Sequence, residues 1–151
     1  FQSIYKFSFL YYNSYNWVIR MKTCSIEIVT FTRGERLHTV TNGTLEEHPQ
    51  GFTLFYRQEC DPVCLNCRDQ TVFMKRQGEN QLSAFFSTKD EGVFSFGLGQ
   101  NAGTVPLQTE ICSVRALRDG WRITLKYRLM FNNQPEIFRL KIAVNIISEE
   151  Q

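Results

Sequence analysis

The sequence has little of what would mark an enzyme, an exported protein or a membrane protein. Only four of its 151 residues are proline and only two are histidine. No stretch of about 18 clean apolar residues occurs, which argues against a transmembrane helix. No nucleophile stands in a motif such as G-x-S-x-G. No helical stripe of ten or more residues competes with the strand pattern described below.

The chain also has little net charge. Seventeen Lys and Arg side chains face 15 Asp and Glu, a formal charge of +2 at pH 7, and the excess lies in residues 1–20 as Lys6 and Arg20. From Met21 onward the two signs balance. Nothing therefore supports bulk attraction to nucleic acid or to a membrane surface. We expect no membrane partner, and we disfavour nucleic acid as a partner.

The first twenty residues differ in composition from the rest, because they are rich in Phe, Tyr, Asn, Ser and Ile. Such a mixture is typical of AT-rich DNA translated upstream of a gene, and Met21 follows it directly. A signal peptide is the rival interpretation, but polar residues from Ser8 to Asn16 interrupt the apolar run and no small-residue cleavage site follows. We predict that residues 1–22 are upstream read-through or a disordered extension, that the domain covers 23–148, and that the protein is cytoplasmic.

Period-two alternation of apolar and polar residues is what the chain has in abundance. In the run Trp121–Phe131, for example, the odd-numbered residues are mostly apolar, and Asp119-Gly120 before it predicts a tight hairpin turn. The alternating runs are Cys24–Phe31, Leu37–Leu45, Phe52–Glu59, Val63–Arg68, Thr71–Gln77, Leu82–Ser87, Val93–Phe96, Val105–Ala116, Trp121–Phe131 and Ile137–Ile147.

This alternation predicts the fold class. Strands with one wet and one buried face are typical of antiparallel sheets, and closing such a sheet removes its exposed edges. We therefore predict an all-β protein, a single antiparallel up-and-down β-barrel of about eight strands. A barrel of that size has an interior that side chains can fill, or that holds one small ligand.

The order of these elements resembles the YwiB-like family of small bacterial proteins, a domain of unknown function (DUF1934). The resemblance runs through nearly all of residues 23–147, and the strand around Cys64 departs from it. It implies a calycin-like (lipocalin-like) barrel and brings no established activity, cofactor or catalytic set. The matching segments are Gly43-Thr-Leu45, Phe52-Thr-Leu-Phe-Tyr56, Arg76 with Gly78, Val105-Pro-Leu-Gln-Thr109, Ile123-Thr-Leu-Lys-Tyr127 and Leu140-Lys-Ile142.

Three of the five cysteines are closely spaced, as Cys60-Asp-Pro-Val-Cys64-Leu-Asn-Cys67. Radical-SAM enzymes use this spacing, but they need a far larger domain. Zinc prefers four ligands in paired C-x₂-C units, and no second pair exists. An odd separation puts Cys64 and Cys67 on opposite faces of a strand, where cysteine acts as a small hydrophobe. We predict reduced thiols, no metal and no cofactor, and keep this cluster as the alternative metal or redox site.

Five cations share the outer faces of the last two predicted strands. They form a candidate site for an anionic partner, the RNA backbone included. The competing interpretation is a solvated face that keeps the barrel soluble, and we favour it because aromatic residues for base stacking are missing there. The five residues of this basic stripe are Arg122, Lys126, Arg128, Arg139 and Lys141.

No catalytic constellation is visible, so we predict a protein that is not an enzyme. The fold class favours a binder of a small apolar or amphipathic ligand in the barrel mouth, by analogy with other barrels. The alternatives are a protein- or RNA-interaction module and, third, a metal or redox protein. The candidate lining residues are Phe55, Tyr56, Phe73, Arg76, Phe86 and Tyr127.

Overall fold

A computed structural model describes the backbone of residues 21–150 and the side chains of residues 21–147. This part of the chain is all-β. Its ten strands are β1 Met21–Thr32, β2 Glu35–His48, β3 Gly51–Gln58, β4 Asp61–Arg68, β5 Thr71–Arg76, β6 Asn80–Phe86, β7 Gly92–Leu98, β8 Asn101–Leu117, β9 Gly120–Phe131 and β10 Gln134–Glu150.

The strands form a closed up-and-down barrel. Each strand pairs antiparallel with the next, and β10 returns to pair with β1. The predicted antiparallel barrel is confirmed, but the expected number of about eight strands is wrong. Every one of the ten alternating runs forms a strand of its own, so a barrel of eight would have left two of them outside the sheet. Within the described residues no helix has the length and apolar character that crossing a bilayer requires.

The barrel begins two residues earlier than position 23, because β1 starts at Met21 and pairs with β2 from there. The prediction for residues 1–20, read-through or disorder, lies outside the described residues. The closing ladder between β1 and β10 runs from Phe31 opposite Arg139 to Met21 opposite Glu150, with one register shift between Thr23 and Cys24.

Alternate residues of every strand point into the barrel and fill its middle. Leucine, isoleucine and valine from β1, β3, β4, β9 and β10 are buried there. Three rings complete the packing: the centroid of Phe86 lies 4.8 Å from that of Tyr127, and Tyr127 stacks on Phe138 at 5.2 Å. Such spacings are those of favourable aromatic pairs. The central part of the lumen is therefore a packed core.

At one end of the barrel, hydrogen-bonded and charged side chains lie above a pair of packed aromatic rings. Trp121 donates from Nε1 to Oε2 of Glu47 at 3.0 Å, and Lys22 forms an ion pair with the other carboxylate oxygen. Beneath them the Trp121 ring lies 4.5 Å from the ring of Phe52, which is fully buried. We call this the covered end.

A β-bulge in β8 changes which residues face inward. The register against β9 shifts between Thr109 and Ile111, so Thr109 and Cys112 both point into the barrel although they are three positions apart. The extra residue leaves Glu110 on the outer face beside β9.

Gly43 lies where β2 begins to pair with β3 while still paired with β1. A Cβ atom there would come within 2.4 Å of the Phe55 carbonyl oxygen and 2.6 Å of Ile26 Cδ1. We expect Gly43→Ala to lower the free energy of unfolding by roughly 1–3 kcal/mol, the usual cost of overpacking, as measured by urea denaturation.

Gly97→Ala is the matched control, because a Cβ there meets its nearest neighbour, Gln81, at an ordinary 3.6 Å. We expect this variant to be as stable as the parent, or slightly more so. An equal loss of unfolding free energy in the two variants would show that the close contacts at position 43 do not cause the destabilisation.

Candidate ligand-binding site

The end of the barrel opposite the covered end carries a cavity of about 260 Å³. It lies where β5, β7 and β9 end and β6 begins, and we call it the mouth cavity. Side chains of four strands form its wall, and most of them face inward. Leu82 of β6, for example, pairs with Phe96 of β7. The lining residues are Arg76, Asn80, Gln81, Leu82, Phe94, Phe96, Leu98 and Phe131.

The aromatic part of the wall depends on a glycine across the sheet. Gly103 of β8 pairs with Phe96, and a Cβ atom on it would lie 2.8 Å from Phe96 Cζ. The Phe96 ring therefore lies over the bare backbone of β8. Phe94 lies two residues back on the same face, with ring centroids 6.4 Å apart. Together they make an apolar surface directly below the rim.

Arg76, the charged residue of the wall, forms an ion pair with Asp61. Nε of Arg76 donates to Oδ2 of Asp61 at 3.0 Å, and Nη2 lies 2.9 Å from the same oxygen. Nη2 also donates to the carbonyl oxygen of Gln58 at 3.4 Å. Only 14% and 10% of these two side chains are exposed. Guanidinium–carboxylate bonds of this kind are stronger than neutral ones, so the pair fixes both side chains at the rim.

Asp61 is held ionised. Burial raises the pKa of its carboxyl, but hydrogen bonds from Arg76 and from the backbone N–H of Asn80 outweigh burial, and the net result is a lowered pKa. The loop after β5 makes room for this carboxylate at Gly78, whose φ is +105° and whose added Cβ would lie 2.3 Å from Oδ1. Only glycine satisfies both requirements.

Four of the six lining residues expected from the sequence point into the barrel. Arg76 lines the mouth cavity, whereas Tyr56, Phe86 and Tyr127 lie deeper, in the packed core. Burial raises the pKa of both tyrosines to about 12, so their phenols stay protonated. None of these three residues lines the mouth cavity.

The structure does not bring the other two into the lumen. Phe73 lies on the outer face of β5 with 39% of its surface exposed. Phe55 lies between the inward-facing Leu54 and Tyr56, so it too points outward, although it is buried. Alternation assigns both to the outer face once the inward register of each strand is known.

Sequence reasoning missed most of the wall: Phe94, Phe96, Leu98 and Phe131. The run Val93–Phe96 predicted a short strand, whereas β7 continues to Leu98 through Gly97. Extending the alternation Phe94, Phe96, Leu98 across the glycine would have identified an apolar face ending at the rim.

The basic stripe is present as a surface but is partly neutralised. Glu110 forms ion pairs with Lys126, at 3.2 Å, and with Arg128. Hydrogen bonds from Lys126 and Arg128 lower the pKa of this carboxyl despite some burial. Arg122 donates to the carbonyl oxygen of Trp121 and to Asn145 Oδ1. Arg139 and Lys141 complete the stripe as exposed cations on β10, and a role with an anionic partner stays a prediction.

The cysteine cluster does not converge. Cys64 faces outward and Cys67 is buried inside, while Cys60 lies exposed in the β3–β4 turn at φ 73°. Burial raises the pKa of Cys64 to about 11 and raises that of Cys67 further, which keeps both as unreactive thiols at neutral pH. Within the described residues no three His, Cys, Asp or Glu side chains are arranged to hold a metal ion.

The fold and the mouth cavity define the class of protein. It is a closed ten-stranded antiparallel barrel with an apolar mouth and a buried ion pair at its rim. The sequence pattern of DUF1934, a domain of unknown function, matches residues 19–142. The chain belongs to this family, as its resemblance to YwiB-like proteins predicted.

A solved structure supports the same fold. The crystal structure of the ywiB protein from Bacillus subtilis superposes with a TM-score of 0.71 at 14% sequence identity, covering 86% of this chain and 94% of that one. At this identity the likeness shows the fold alone. No curated protein matches the chain.

The ion pair at the rim makes stability depend on pH. Because the pKa of Asp61 is lowered on folding, its contribution to the free energy of unfolding is present above the ordinary aspartate value of 3.8 and is lost as the pH falls through the folded value. We expect Asp61→Asn to be less stable than the parent at neutral pH, and the difference to shrink below pH 3.8 in urea titrations.

The matched control is Glu35→Gln, which removes one negative charge from an exposed position in β2. We expect it to follow the parent across the same range. A difference between Asp61→Asn and the parent that stays constant with pH would contradict the assigned role of the Asp61 charge.

Proposed function

We propose that this protein is a non-enzymatic binding protein, a calycin-like barrel that holds a small amphipathic ligand in its mouth cavity. No cofactor takes part in this function. The proposed compartment is the cytoplasm, where reducing conditions maintain unpaired thiols such as the five found here.

The observation that carries the proposal is the contrast between the two halves of the cavity wall. Phe94, Phe96, Leu98 and Phe131 supply a continuous apolar surface, and Arg76 supplies hydrogen-bond donors at its edge. Few polar groups on an apolar concave surface are typical of small-molecule sites.

The Arg76 guanidinium keeps donors available. Its Nε and Nη2 atoms bind Asp61 and approach Gln58, whereas Nη1 has no hydrogen-bond partner within residues 21–150. Guanidinium N–H groups are donors only. A ligand with an acceptor atom at one end and an apolar body therefore matches the wall, because the acceptor can bind Arg76 and the apolar body can pack on the aromatic side chains.

The size of the cavity supports a small ligand. Its volume of about 260 Å³ falls just below the range of roughly 300–1,000 Å³ that is usual for drug-sized molecules. The core beneath the cavity is packed, and the rings of Phe86 and Tyr127 contact each other there. We therefore expect the ligand to bind at the rim and not deep in the lumen.

Native mass spectrometry tests whether a ligand copurifies. The full chain is purified gently without chelator, and its native mass is compared with its denatured mass. We expect a reproducible extra mass of organic origin. An extra mass equal to zinc or iron would instead support the metal alternative, and a bare polypeptide would count against a tightly held ligand.

A fluorescent probe tests the site itself. N-phenyl-1-naphthylamine is apolar and carries one polar N–H, and its emission rises on transfer from water to an apolar cavity. We expect it to bind the full chain, and Phe131→Ala to weaken binding about fivefold because one wall of the cavity is removed. Titration of emission against protein concentration gives the Kd.

The matched control is Phe73→Ala on the outer face. Phe131 is 36% exposed and Phe73 is 39% exposed, so the two truncations remove equally accessible rings. We expect Phe73→Ala to bind the probe like the parent. Equal weakening by both variants, or by neither, would place the probe outside the mouth cavity.

A further inference from the structure

We infer that the ligand of the mouth cavity is uncharged, with a carbonyl or hydroxyl oxygen as its polar end, and is not a carboxylate, sulfonate or phosphate. This inference rests on the proposed function and specifies the chemical class of the ligand. It depends on the charges that already surround Arg76, the cation that the described residues place in the cavity wall.

The positive charge of Arg76 is already matched by a carboxylate. Asp61 Oδ2 lies 2.9 Å from Nη2, and this carboxylate is buried and held in place by the Asn80 backbone N–H as well. Glu59 brings a second carboxylate to 3.7 Å from the same nitrogen. The guanidinium therefore faces two negative charges before any ligand arrives.

The other cations near the rim do not change this balance. Arg33, which lies near Phe131, is paired with Glu136 at 3.0 Å. Arg57 lies on the outer face of β3, where its Nη1 donates to the Cys60 carbonyl oxygen. Lys75 precedes Arg76 on β5 and points outward, exposed to solvent. None of these three cations lines the mouth cavity.

An anionic ligand would consequently meet a shared guanidinium. Its charge would lie beside Asp61, which cannot move away because Arg76 and the Asn80 backbone hold it, and like charges at such distances repel strongly where water is scarce. The same ligand would also lose its hydration on entering an apolar wall.

A neutral oxygen meets none of these costs. It can accept a hydrogen bond from Nη1 of Arg76 without adding charge, and the Asn80 side chain offers a second amide partner at the rim. The apolar body then covers Phe96, Leu98 and Phe131. Amides, ketones, esters and alcohols of modest size have this arrangement.

Two probes that differ by a single charged group test the inference. N-phenyl-1-naphthylamine is neutral, and 1-anilinonaphthalene-8-sulfonate is the same two-ring amine carrying a sulfonate. We expect the neutral probe to bind the full chain about tenfold more tightly than the sulfonate in low salt, where charge effects are largest. Both titrations follow emission intensity.

Removing the carboxylates should reverse the discrimination. We expect Asp61→Asn to raise the affinity for the sulfonate, relative to that for the neutral probe, about fivefold, because the carboxylate beside Arg76 loses its charge. Glu59→Gln is a second variant at an 80% exposed side chain, which keeps the test usable if Asp61→Asn does not fold, and we expect about a twofold gain.

The outcomes separate the two ideas. Tighter binding of the sulfonate to the parent, weakened by Phe131→Ala, would overturn the neutral-ligand inference and leave the mouth cavity as the binding site. So would unchanged sulfonate affinity in both carboxylate variants. If Phe131→Ala weakens neither probe, the proposed function itself fails. Glu91→Gln, which removes an exposed acid from the β6–β7 turn at the covered end of the barrel, controls for net charge.

Discussion

Filling the lumen is the constraint on which the rest of this structure depends. A closed sheet of ten strands encloses more space than one of eight, and aliphatic side chains alone leave such a space incompletely packed. Here Phe86 of β6 meets Tyr127 of β9 inside the lumen, and Tyr127 stacks on its cross-strand neighbour Phe138. Because protein interiors tolerate few voids, these aromatic side chains are needed to fill the middle of a barrel of this width.

The mouth cavity exists where this filling stops. Beyond Tyr127 the inward positions pass to residues at strand ends, and the strands at the rim carry Leu98 and Phe131 with open space beside them. At the covered end the same problem is solved by Trp121 and Glu47. The two ends therefore differ in chemistry: one is covered by a hydrogen-bonded indole, and the other is left open beside an ion pair.

Much of the fold could be predicted from the sequence, because alternation is a local property of each strand. The sequence shows ten runs of alternating apolar and polar residues, and each run forms a strand. The expectation of about eight strands follows from the analogy with eight-stranded barrels, whereas the alternating runs themselves number ten. The site was harder to predict. Whether Phe55 or Tyr56 faces inward is decided by the neighbouring strands, and the β8 bulge shifts the parity of half a strand in a way that no single segment reveals.

The Arg76–Asp61 pair shows a further limit. The two residues are 15 positions apart and meet only because β4 and β5 are neighbours and a glycine loop bends the chain over the carboxylate. The sequence offers Arg76 as a candidate lining residue, but the residues around it do not indicate that Asp61 is its ion-pair partner. The electrostatics of the mouth cavity thus depend on tertiary structure.

The closing ladder between β1 and β10 also governs how the molecule can fold. Nine of the ten strand pairings join neighbours in the chain and need only short loops, whereas the tenth joins the two ends of the domain. Loop closure over such a distance costs more entropy, and non-local pairing slows folding. During synthesis β1 therefore lacks its β10 partner until the last strand has left the ribosome. In that interval its free edge can pair with another chain.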